Sequence, residues 1–149
     1  MELLTPKIIQ DEESFQAFRM LLKSSGLPSD DLNFTRDLLV AYYEDGLVVG
    51  TGGLEIYGQY GLLRSLSVKL GTRGKALGTA ITEYLIREAR NKGLKGIYLL
   101  TETAQGFFLR KGFSNVPRST VPNELKASSE FTHVCSETAV AMELMLNRV

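Results

Sequence analysis

The alternation of apolar and polar positions in the first part of the chain predicts a strand, a helix and a turn. The stretch "TPKII" is typical of a short strand. The segment that follows places Phe15, Phe18 and Leu22 on one helical face. It begins with Asp11 as a predicted N-cap and ends at Gly26. The polar stretch "LPSDDLNF" then indicates a turn or a short helix.

Two strand-like runs follow, "LLVAYYE" and "LVVGTGGLEIYG", and they are joined by Asp45 and Gly46. An Asp-Gly pair between two such runs favours a tight hairpin turn. The next run, "YGLLRSLSV", predicts another strand because apolar and polar side chains alternate along it. Its two expected faces consist of Leu62, Arg64 and Leu66 on one side and Leu63, Ser65 and Ser67 on the other.

The second half of the chain combines helical and strand patterns. Ile81 and Leu85 lie on the apolar face of a predicted amphipathic helix that ends near Gly93. The run "KGIYLLTE" is typical of an interior strand, and "TAQGFFLRKGF" predicts a short helix capped by Thr103 and ended by Gly112. A last strand is expected at "TAVAMELML". This order of elements predicts an α/β or α+β fold with a mixed sheet.

Composition and charge narrow the class of protein. With 149 residues, 44% of them hydrophobic, the chain is expected to form a single domain over residues 1–149. Its formal net charge is zero, so no overall field favours nucleic acid or an anionic membrane. The start, "MELLTPKIIQDEES", shows no targeting segment, and we expect a soluble, cytoplasmic protein. One cysteine, Cys135, and one histidine, His133, are a poor basis for a metal site, so none is expected.

The stretch "LSVKLGTRGKALGTAITEYLI", residues 66–86, runs from a strand through a basic loop into a helix. A helix that begins there points unpaired backbone N–H groups at one spot, and this favours a phosphate. Arg73 and Lys75 add positive charge, while Gly74, Ala76 and Gly78 allow close approach of the backbone. The alternative is an ordinary turn with exposed basic residues. The segment lacks the glycine patterns of nucleotide triphosphate and dinucleotide sites.

Two motifs carry a resemblance to a known family. The segment "RGKALG", residues 73–78, resembles the acyl-CoA loop of the GNAT superfamily of N-acetyltransferases, [QR]-x-x-G-x-[GA], with Ala76 in place of the first glycine. The segment "AQGFFLRKGF", residues 104–113, is similar to the second motif of that superfamily, A-x-x-[FY]-Y-x-x-x-G-[FY]. The resemblance implies a GNAT fold, in which helices flank a mixed, mostly antiparallel sheet whose fourth and fifth strands splay apart.

The resemblance also implies acetyl-CoA as the cofactor, with its pantetheine arm between the splayed strands. Thr101 stands where relatives commonly have an asparagine that bonds this arm, and we group it with Arg64 as a substrate-binding residue. Phe108 stands where many relatives have a tyrosine that protonates the leaving thiolate. A phenyl ring cannot donate a proton, so the general acid is water or another group, or none is needed. The implied cofactor-binding residues are Leu66, Ser67, Val68, Arg73, Gly74, Lys75, Ala76, Gly78, Thr79, Phe107 and Phe108.

Arg64 is the main indication of the acceptor. Relatives often have a glutamate at this position, where it helps deprotonate the amine through water. A guanidinium group cannot act as a base, but it binds carboxylate or phosphate, which predicts an anionic acceptor. The alternative is that Arg64 pairs with Glu55 or Glu102 on a neighbouring strand, and both interpretations can hold together. Glu55 and Glu102 are also the candidates for a water-mediated base, unless they are solvated carboxylates at strand ends.

A narrower resemblance concerns the substrate. The segments "LRSLSV" and "LLTETAQGFFLRKGF" resemble the amino-acid-acetylating branch, including glutamate N-acetyltransferase domains. The tail "VPNELKASSEFTHVCSETAVAM" resembles small acetyltransferases associated with arsenic resistance. The implied acceptor is the α-amine of a small amino acid, or of a glutamate-like analogue with an arsenic- or phosphorus-containing acid group. The matching tail residues are Pro122, Glu130, Phe131, Cys135, Ala139 and Met142.

Two other functions remain open at this point. One is acetylation of a protein or peptide amine. The other is a non-catalytic acyl-CoA-binding module, because the usual tyrosine is missing and no base is obvious from the sequence. For the enzyme we expect a small-molecule amine acceptor, no nucleic acid or membrane partner, and a monomer or homodimer.

Overall fold

The computed structural model describes residues 4–71, 75–128 and 138–146. Within these ranges, no helix is both long enough and apolar enough to span a membrane. The elements in chain order are β1 (Pro6–Ile8), α1 (Glu12–Ser24), β2 (Leu38–Glu44), β3 (Leu47–Tyr57), β4 (Tyr60–Val68), α2 (Lys75–Asn91), β5 (Gly96–Thr101), α3 (Gln105–Arg110), β6 (Ser114–Val116) and β7 (Val140–Met145), with short 3-10 helices at Arg118–Thr120 and Asn123–Ala127.

The strands form one seven-stranded sheet in the order β1-β2-β3-β4-β5-β7-β6. Strands β1 and β2, β2 and β3, β5 and β7, and β6 and β7 pair antiparallel. Strands β4 and β5 are parallel, and their registered pairs join 60–62 to 96–98, at the beginning of both strands. The predicted mixed, mostly antiparallel sheet is therefore confirmed. That the later residues of β4 and β5 splay apart stays a prediction.

The chain divides into two compact units. The N-terminal unit consists of Met1–Glu55 and Arg64–Leu85, and the C-terminal unit consists of Ile56–Leu63 and Ile86–Val149. Both units contribute residues to strands β3 and β4. The expectation of a single domain over residues 1–149 stays a prediction.

The core of the N-terminal unit lies between α1 and β2. The predicted apolar face of α1 is buried, and Phe18 and Leu22 pack with Leu39 of β2 in one cluster. The carboxylate of Asp11 accepts a hydrogen bond from the Ser14 backbone N–H at 2.8 Å. This bond satisfies one of the donors that every helix start leaves open, so the predicted N-cap is confirmed.

Helix α2 approaches β3 closely because β3 carries glycines. A Cβ atom at Gly52 would lie 2.5 Å from Cγ2 of Ile81 and 3.0 Å from Cδ1 of Leu85. A Cβ at Gly50 would lie 2.9 Å from side-chain atoms of both Leu77 and Ile81. The predicted apolar face of α2 therefore occupies the space that side chains at positions 50 and 52 would need.

The C-terminal unit has its own core around β5. Tyr98 and Leu62 pack with Leu125 in one buried cluster, and the Tyr98 ring meets the Tyr60 ring edge-on at 5.9 Å. Burial raises the pKa of the Tyr98 hydroxyl, and a hydrogen bond with Glu143, its cross-strand partner on β7, raises it further. Tyr98 is therefore a neutral structural residue that joins β5 to β7.

The local turn signals were correct with one exception. Asp45 and Gly46 both have positive φ, 53° and 80°, as the predicted tight hairpin requires. The predicted cap of α3 was wrong, because Ala104 and not Thr103 is the N-cap residue. The Ala104 N–H donates to the Thr101 hydroxyl at 3.0 Å. The short strand β6 and the two 3-10 helices have no clear hydrophobic period and were not predicted.

We predict that Gly52→Ala destabilises the protein by about 1–3 kcal/mol, because its methyl group would overlap Ile81 and Leu85. Urea unfolding followed by circular dichroism measures the change. Gly106→Ala is the matched control, since among the described residues a Cβ there would meet Arg110 Nη1 alone, at 3.6 Å, on the surface of α3. We expect this control to be neutral or slightly stabilising. Equal unfolding midpoints for Gly52→Ala and the wild type would contradict the proposed close contact.

Candidate active site

One face of β3 and β4 in the N-terminal unit carries buried polar side chains. On β3, Thr51 is fully buried and Glu55 is 2% exposed. On β4, Arg64 is 4% exposed and Ser65 and Ser67 are also buried. Buried polar groups are costly unless they are paired or used, so this face stands out from the apolar core around it.

Arg64 is held by two carboxylates. Its guanidinium group makes a bidentate pair with Asp31, in which Nη1 contacts Oδ2 and Nη2 lies 2.9 Å from Oδ1. The Nη1 atom also lies 3.4 Å from Oε2 of Glu55. The Arg64 side chain is 1% exposed. The guanidinium group therefore ties the segment between α1 and β2 to strand β3.

A second arginine reaches the same glutamate from the surface. Nε and Nη2 of Arg36 donate to the two carboxylate oxygens of Asp37 at 2.7 and 2.8 Å, and Nη2 lies 3.3 Å from Oε2 of Glu55. The Arg36 side chain is 50% exposed, whereas those of Asp37 and Glu55 are buried. We call Asp31, Arg36, Asp37, Glu55 and Arg64 the ionic cluster. Its two guanidinium groups and three carboxylates carry a formal excess of one negative charge.

The charge state of Asp31 follows from its partner. Burial raises the pKa of the Asp31 carboxyl, but the hydrogen bonds and the charge of Arg64 lower it by more, with a further contribution from Arg36. The net pKa lies below the usual range of an aspartate. The Asp31 carboxyl therefore stays ionised, and able to pair with Arg64, to a lower pH than an ordinary aspartate would.

These contacts decide part of what the sequence left open. The expected pairing of Arg64 with Glu55 is confirmed. Binding of the acceptor by Arg64 stays a prediction. Sequence reasoning missed Asp31, Arg36 and Asp37, because that stretch reads only as a polar turn and nothing in its spacing points to β4.

Glu102 lies in the C-terminal unit, where it is exposed and accepts a hydrogen bond from the Thr138 hydroxyl at 3.1 Å.

Ser65 has an unusual backbone conformation for a strand residue. Its φ is +62°, in the left-handed region, and its carbonyl oxygen accepts a hydrogen bond from the Thr51 hydroxyl at 2.8 Å. A left-handed residue inside a strand shifts the alternation of side chains by one position. The predicted placement of Arg64 and Ser65 on opposite faces was therefore wrong. The Arg64 side chain contacts Glu55, and the Ser65 Cβ lies 3.7 Å from a Cβ built at Gly53, on the same face of β3.

The strain at Ser65 is accompanied by a second unfavourable feature. Among the described residues, no group forms a hydrogen bond with the buried Ser65 Oγ. A left-handed non-glycine residue costs about 1–3 kcal/mol, and a buried hydroxyl without a partner costs about the same. Ser65 therefore combines a left-handed backbone with a buried hydroxyl that has no hydrogen-bond partner among the described residues.

The predicted donor-binding residues of the N-terminal unit lie at the end of β4 and the start of α2. Ser67 is buried and its hydroxyl pairs with that of Ser25, at the end of α1. Leu66 and Val68 are partly buried. Helix α2 begins at Lys75, so Lys75, Ala76, Gly78 and Thr79 are its first residues and not part of a loop. Arg73 and Gly74 lie outside the described residues, as do His133 and Cys135.

The remaining predicted site residues lie in the C-terminal unit. Thr101 ends β5, and because its hydroxyl oxygen accepts from Ala104, its proton is still available to a further acceptor. Phe108 on α3 is 5% exposed, and its ring packs edge-on against Phe107 at 5.0 Å and Phe113 at 5.5 Å. Phe108 is therefore an apolar packing residue without a transferable proton.

The described ranges contain no cluster of three or more His, Cys, Asp or Glu residues placed to hold a metal ion. The polar groups on these elements are guanidinium, carboxylate, hydroxyl and backbone groups. Such groups can bind anions and ammonium ions and can order water.

Comparison with known proteins identifies the family. A family model described as an acetyltransferase (GNAT) domain matches residues 35–115. An amino-acid acetyltransferase of Mycobacterium tuberculosis is 31% identical over 93 residues, which cover 60% of this chain and 53% of that protein. The chain thus spans about half the length of this curated relative.

Solved structures share the fold at low sequence identity. N-acetylglutamate synthase from Neisseria gonorrhoeae, in complex with coenzyme A and N-acetyl-glutamate, has a TM-score of 0.80 and 14% identity, over 99% of this chain and 36% of that chain. A GNAT acetyltransferase from Staphylococcus aureus has a TM-score of 0.75 and 18% identity, over 96% of this chain and 100% of that chain. The predicted GNAT fold is confirmed, and N-acetyl transfer as the activity of this chain stays a prediction. Because the family model spans more than half of its length, the chain belongs to the GNAT acetyltransferase family.

Proposed function

We propose that the protein transfers the acetyl group of acetyl-CoA to the α-amine of a small amino acid, by direct attack of the amine on the thioester. Family membership and the similarity to an amino-acid acetyltransferase support this reaction. The observation that carries the choice of acceptor is the ionic cluster beside β4. It offers both signs of charge within one small polar site, as recognition of an amino acid requires.

The donor end of the proposed site is built from backbone groups and small residues. The first N–H groups of α2, from Lys75 onward, would bind the pyrophosphate, with Arg73 supplying charge. Backbone groups of Leu66 and Val68 would bond the pantetheine arm. Thr101 and Phe108 lie in the C-terminal unit, and their contact with the cofactor stays a prediction.

The acceptor end is assigned from the charges of the ionic cluster. Its excess negative charge suits the α-ammonium group of an amino acid. The carboxylate of the acceptor would meet Arg36, whose guanidinium group is half exposed. Arg64 is buried against Asp31, so its role in this arrangement is to hold Glu55 and the segment between α1 and β2 in place.

Transfer requires a neutral amine and a leaving thiolate. We assign Glu55 as the carboxylate that orders a water to take the amine proton, since it is buried and central in the ionic cluster. Glu102 is the weaker candidate because it is exposed. Phe108 cannot donate a proton, so in this mechanism the thiolate is protonated by solvent.

The finer proposal is an anionic acceptor, glutamate or a glutamate-like analogue with an arsenic- or phosphorus-containing acid group. Arg36 can bind one carboxylate of such an acceptor, and the resemblance of the sequence segments to glutamate N-acetyltransferase domains and of the tail to arsenic-resistance acetyltransferases supports the acidic group. Two of the matching tail residues, Ala139 and Met142, are buried at 4% and 0% exposure, so they reflect packing and carry no information on the substrate. An activity assay with different acceptors is therefore needed to identify the substrate class.

The central experiment mixes the purified protein with acetyl-CoA and a panel of acceptors, and follows thiol release. The panel contains glutamate, aspartate, methionine, glutamate-like phosphorus and arsenic acids, and a lysine-containing peptide. We expect the acidic amino acids or their analogues to accelerate release most. Acceleration by the peptide alone would favour a protein acetyltransferase, and acetyl-CoA binding without any acceleration would favour a non-catalytic module.

Replacement of Arg36 tests the assignment of the acceptor carboxylate. We predict that Arg36→Gln raises the acceptor KM about 10-fold or more, because a charge-assisted hydrogen bond contributes about 1.5–3 kcal/mol. The KM for acetyl-CoA should change little. Arg19→Gln is the matched control, since Arg19 pairs with the exposed Asp30 outside the ionic cluster. An unchanged acceptor KM in Arg36→Gln would remove Arg36 from the site.

The lowered pKa of Asp31 predicts a pH dependence of stability. A carboxyl group whose pKa is depressed by folding stabilises the protein above its unfolded pKa of about 3.9, and this contribution is lost as the pH falls through the folded pKa. Asp31→Asn should therefore be less stable than the wild type at pH 7, by about 1–3 kcal/mol. The difference should shrink towards pH 3. Urea unfolding at pH 7, 5 and 3 measures it, and a constant difference would refute the assigned pairing.

A further inference from the structure

Ser65 combines two features that are each unfavourable in the absence of a ligand. It has a left-handed φ of +62° in the middle of β4, and the other non-glycine residue with positive φ in the described ranges, Asp45, lies in a hairpin turn. Its hydroxyl is buried, at 9% exposure of the residue, and finds no hydrogen-bond partner in the part of the chain that the structure describes. Strain of this kind concentrates at sites that bind or transform a ligand.

The backbone at this position is fixed from β3. The Thr51 hydroxyl donates to the Ser65 carbonyl oxygen at 2.8 Å, and Gly53 leaves room beside the Arg64 carbonyl and the Ser65 Cβ. These contacts involve the backbone and Cβ of Ser65 and not its hydroxyl. A glycine would adopt the same φ without strain, so the conformation alone gives no reason for a serine side chain.

The surroundings of the hydroxyl point to its use. Ser65 follows Arg64 directly and shares its face of the sheet with Glu55, within the polar lining of the proposed acceptor site. The exposed edge of that site is Arg36, which we assign to the acceptor carboxylate. The buried end of the same acceptor is then its amine, and a serine oxygen can accept a hydrogen bond from an amine N–H.

We propose that Ser65 is an acceptor-binding residue whose Oγ accepts a hydrogen bond from the α-amine of the amino acid. This inference rests on the proposed function and adds to it the group that orients the attacking nitrogen. By accepting one N–H, Ser65 leaves the nitrogen lone pair to face the thioester. The hydroxyl does not take the proton, and its own proton remains available to a neighbouring acceptor.

Two variants separate binding from structure. Ser65→Ala removes the hydroxyl and keeps the strain, whereas Ser65→Gly removes both. With the best acceptor of the panel, we expect both variants to lower kcat/KM for the acceptor about 10- to 100-fold, chiefly through KM. The KM for acetyl-CoA should stay within about 2-fold of the wild type. Ser65→Gly should resist urea as well as the wild type or better, because it removes strain and a buried unpaired hydroxyl.

Ser14→Ala is the matched control. Its hydroxyl bonds the Asp11 carboxylate at 2.6 Å at the start of α1, so its loss should reduce stability slightly and leave both KM values unchanged. Wild-type acceptor kinetics in both Ser65 variants would overturn the assignment of Ser65 alone, with the proposed function intact. If the Ser65 variants lose stability and show equal increases in the KM for the acceptor and the KM for acetyl-CoA, Ser65 has a structural role. That result would also overturn the assignment. If none of the acceptors in the panel increases thiol release by the wild type, the proposed function fails, and this inference fails with it.

Discussion

The bidentate pair between Arg64 and Asp31 is the interaction on which the proposed acceptor site depends. It joins a residue of the turn after α1 to a residue of β4, and Glu55 on β3 adds a third point of attachment. Removing either partner of such a buried pair leaves an uncompensated charge, which is far more costly than the pair itself is stabilising. The pair therefore acts less as a source of stability than as a constraint on geometry. It holds the polar turn against the sheet.

The donor and acceptor parts of the proposed site differ in how they are encoded. The donor part consists of a strand end, a helix start and small residues, all within one short stretch of sequence. Its recognition uses backbone groups, so it needs particular local conformations more than particular side chains. The acceptor part consists of side chains from β3, β4 and the turn after α1, brought together only by folding. This explains why the cofactor could be assigned from the sequence while the acceptor could be assigned only by class.

The same distinction accounts for what could be predicted of the fold. Helix α1, the hairpin at Asp45 and the order of the main strands follow from local periodicity and turn chemistry, and these were correct. Asp31 could not be found, because the partner that defines its role lies 33 positions away and no spacing rule connects them. Ser65 was placed on the wrong face because strict alternation assumes a regular strand. A single left-handed residue, fixed by a hydroxyl from the neighbouring strand, breaks that assumption.

Strand β3 contacts helix α2 on one face and strand β4 through a side chain of the other face. On one face, the glycines at positions 50 and 52 receive the side chains of α2, the helix whose first turn is assigned to the cofactor phosphates. On the other face, Thr51 holds the backbone of Ser65. Adjacent residues of one strand therefore contact α2 on one face and the backbone of the proposed acceptor-binding residue on the other. A shift of α2 would act on β3 at positions 50 and 52, and the same strand holds the Ser65 backbone through Thr51. If the binding of one substrate moved this strand, linkage would require each substrate to change the affinity for the other by the same factor.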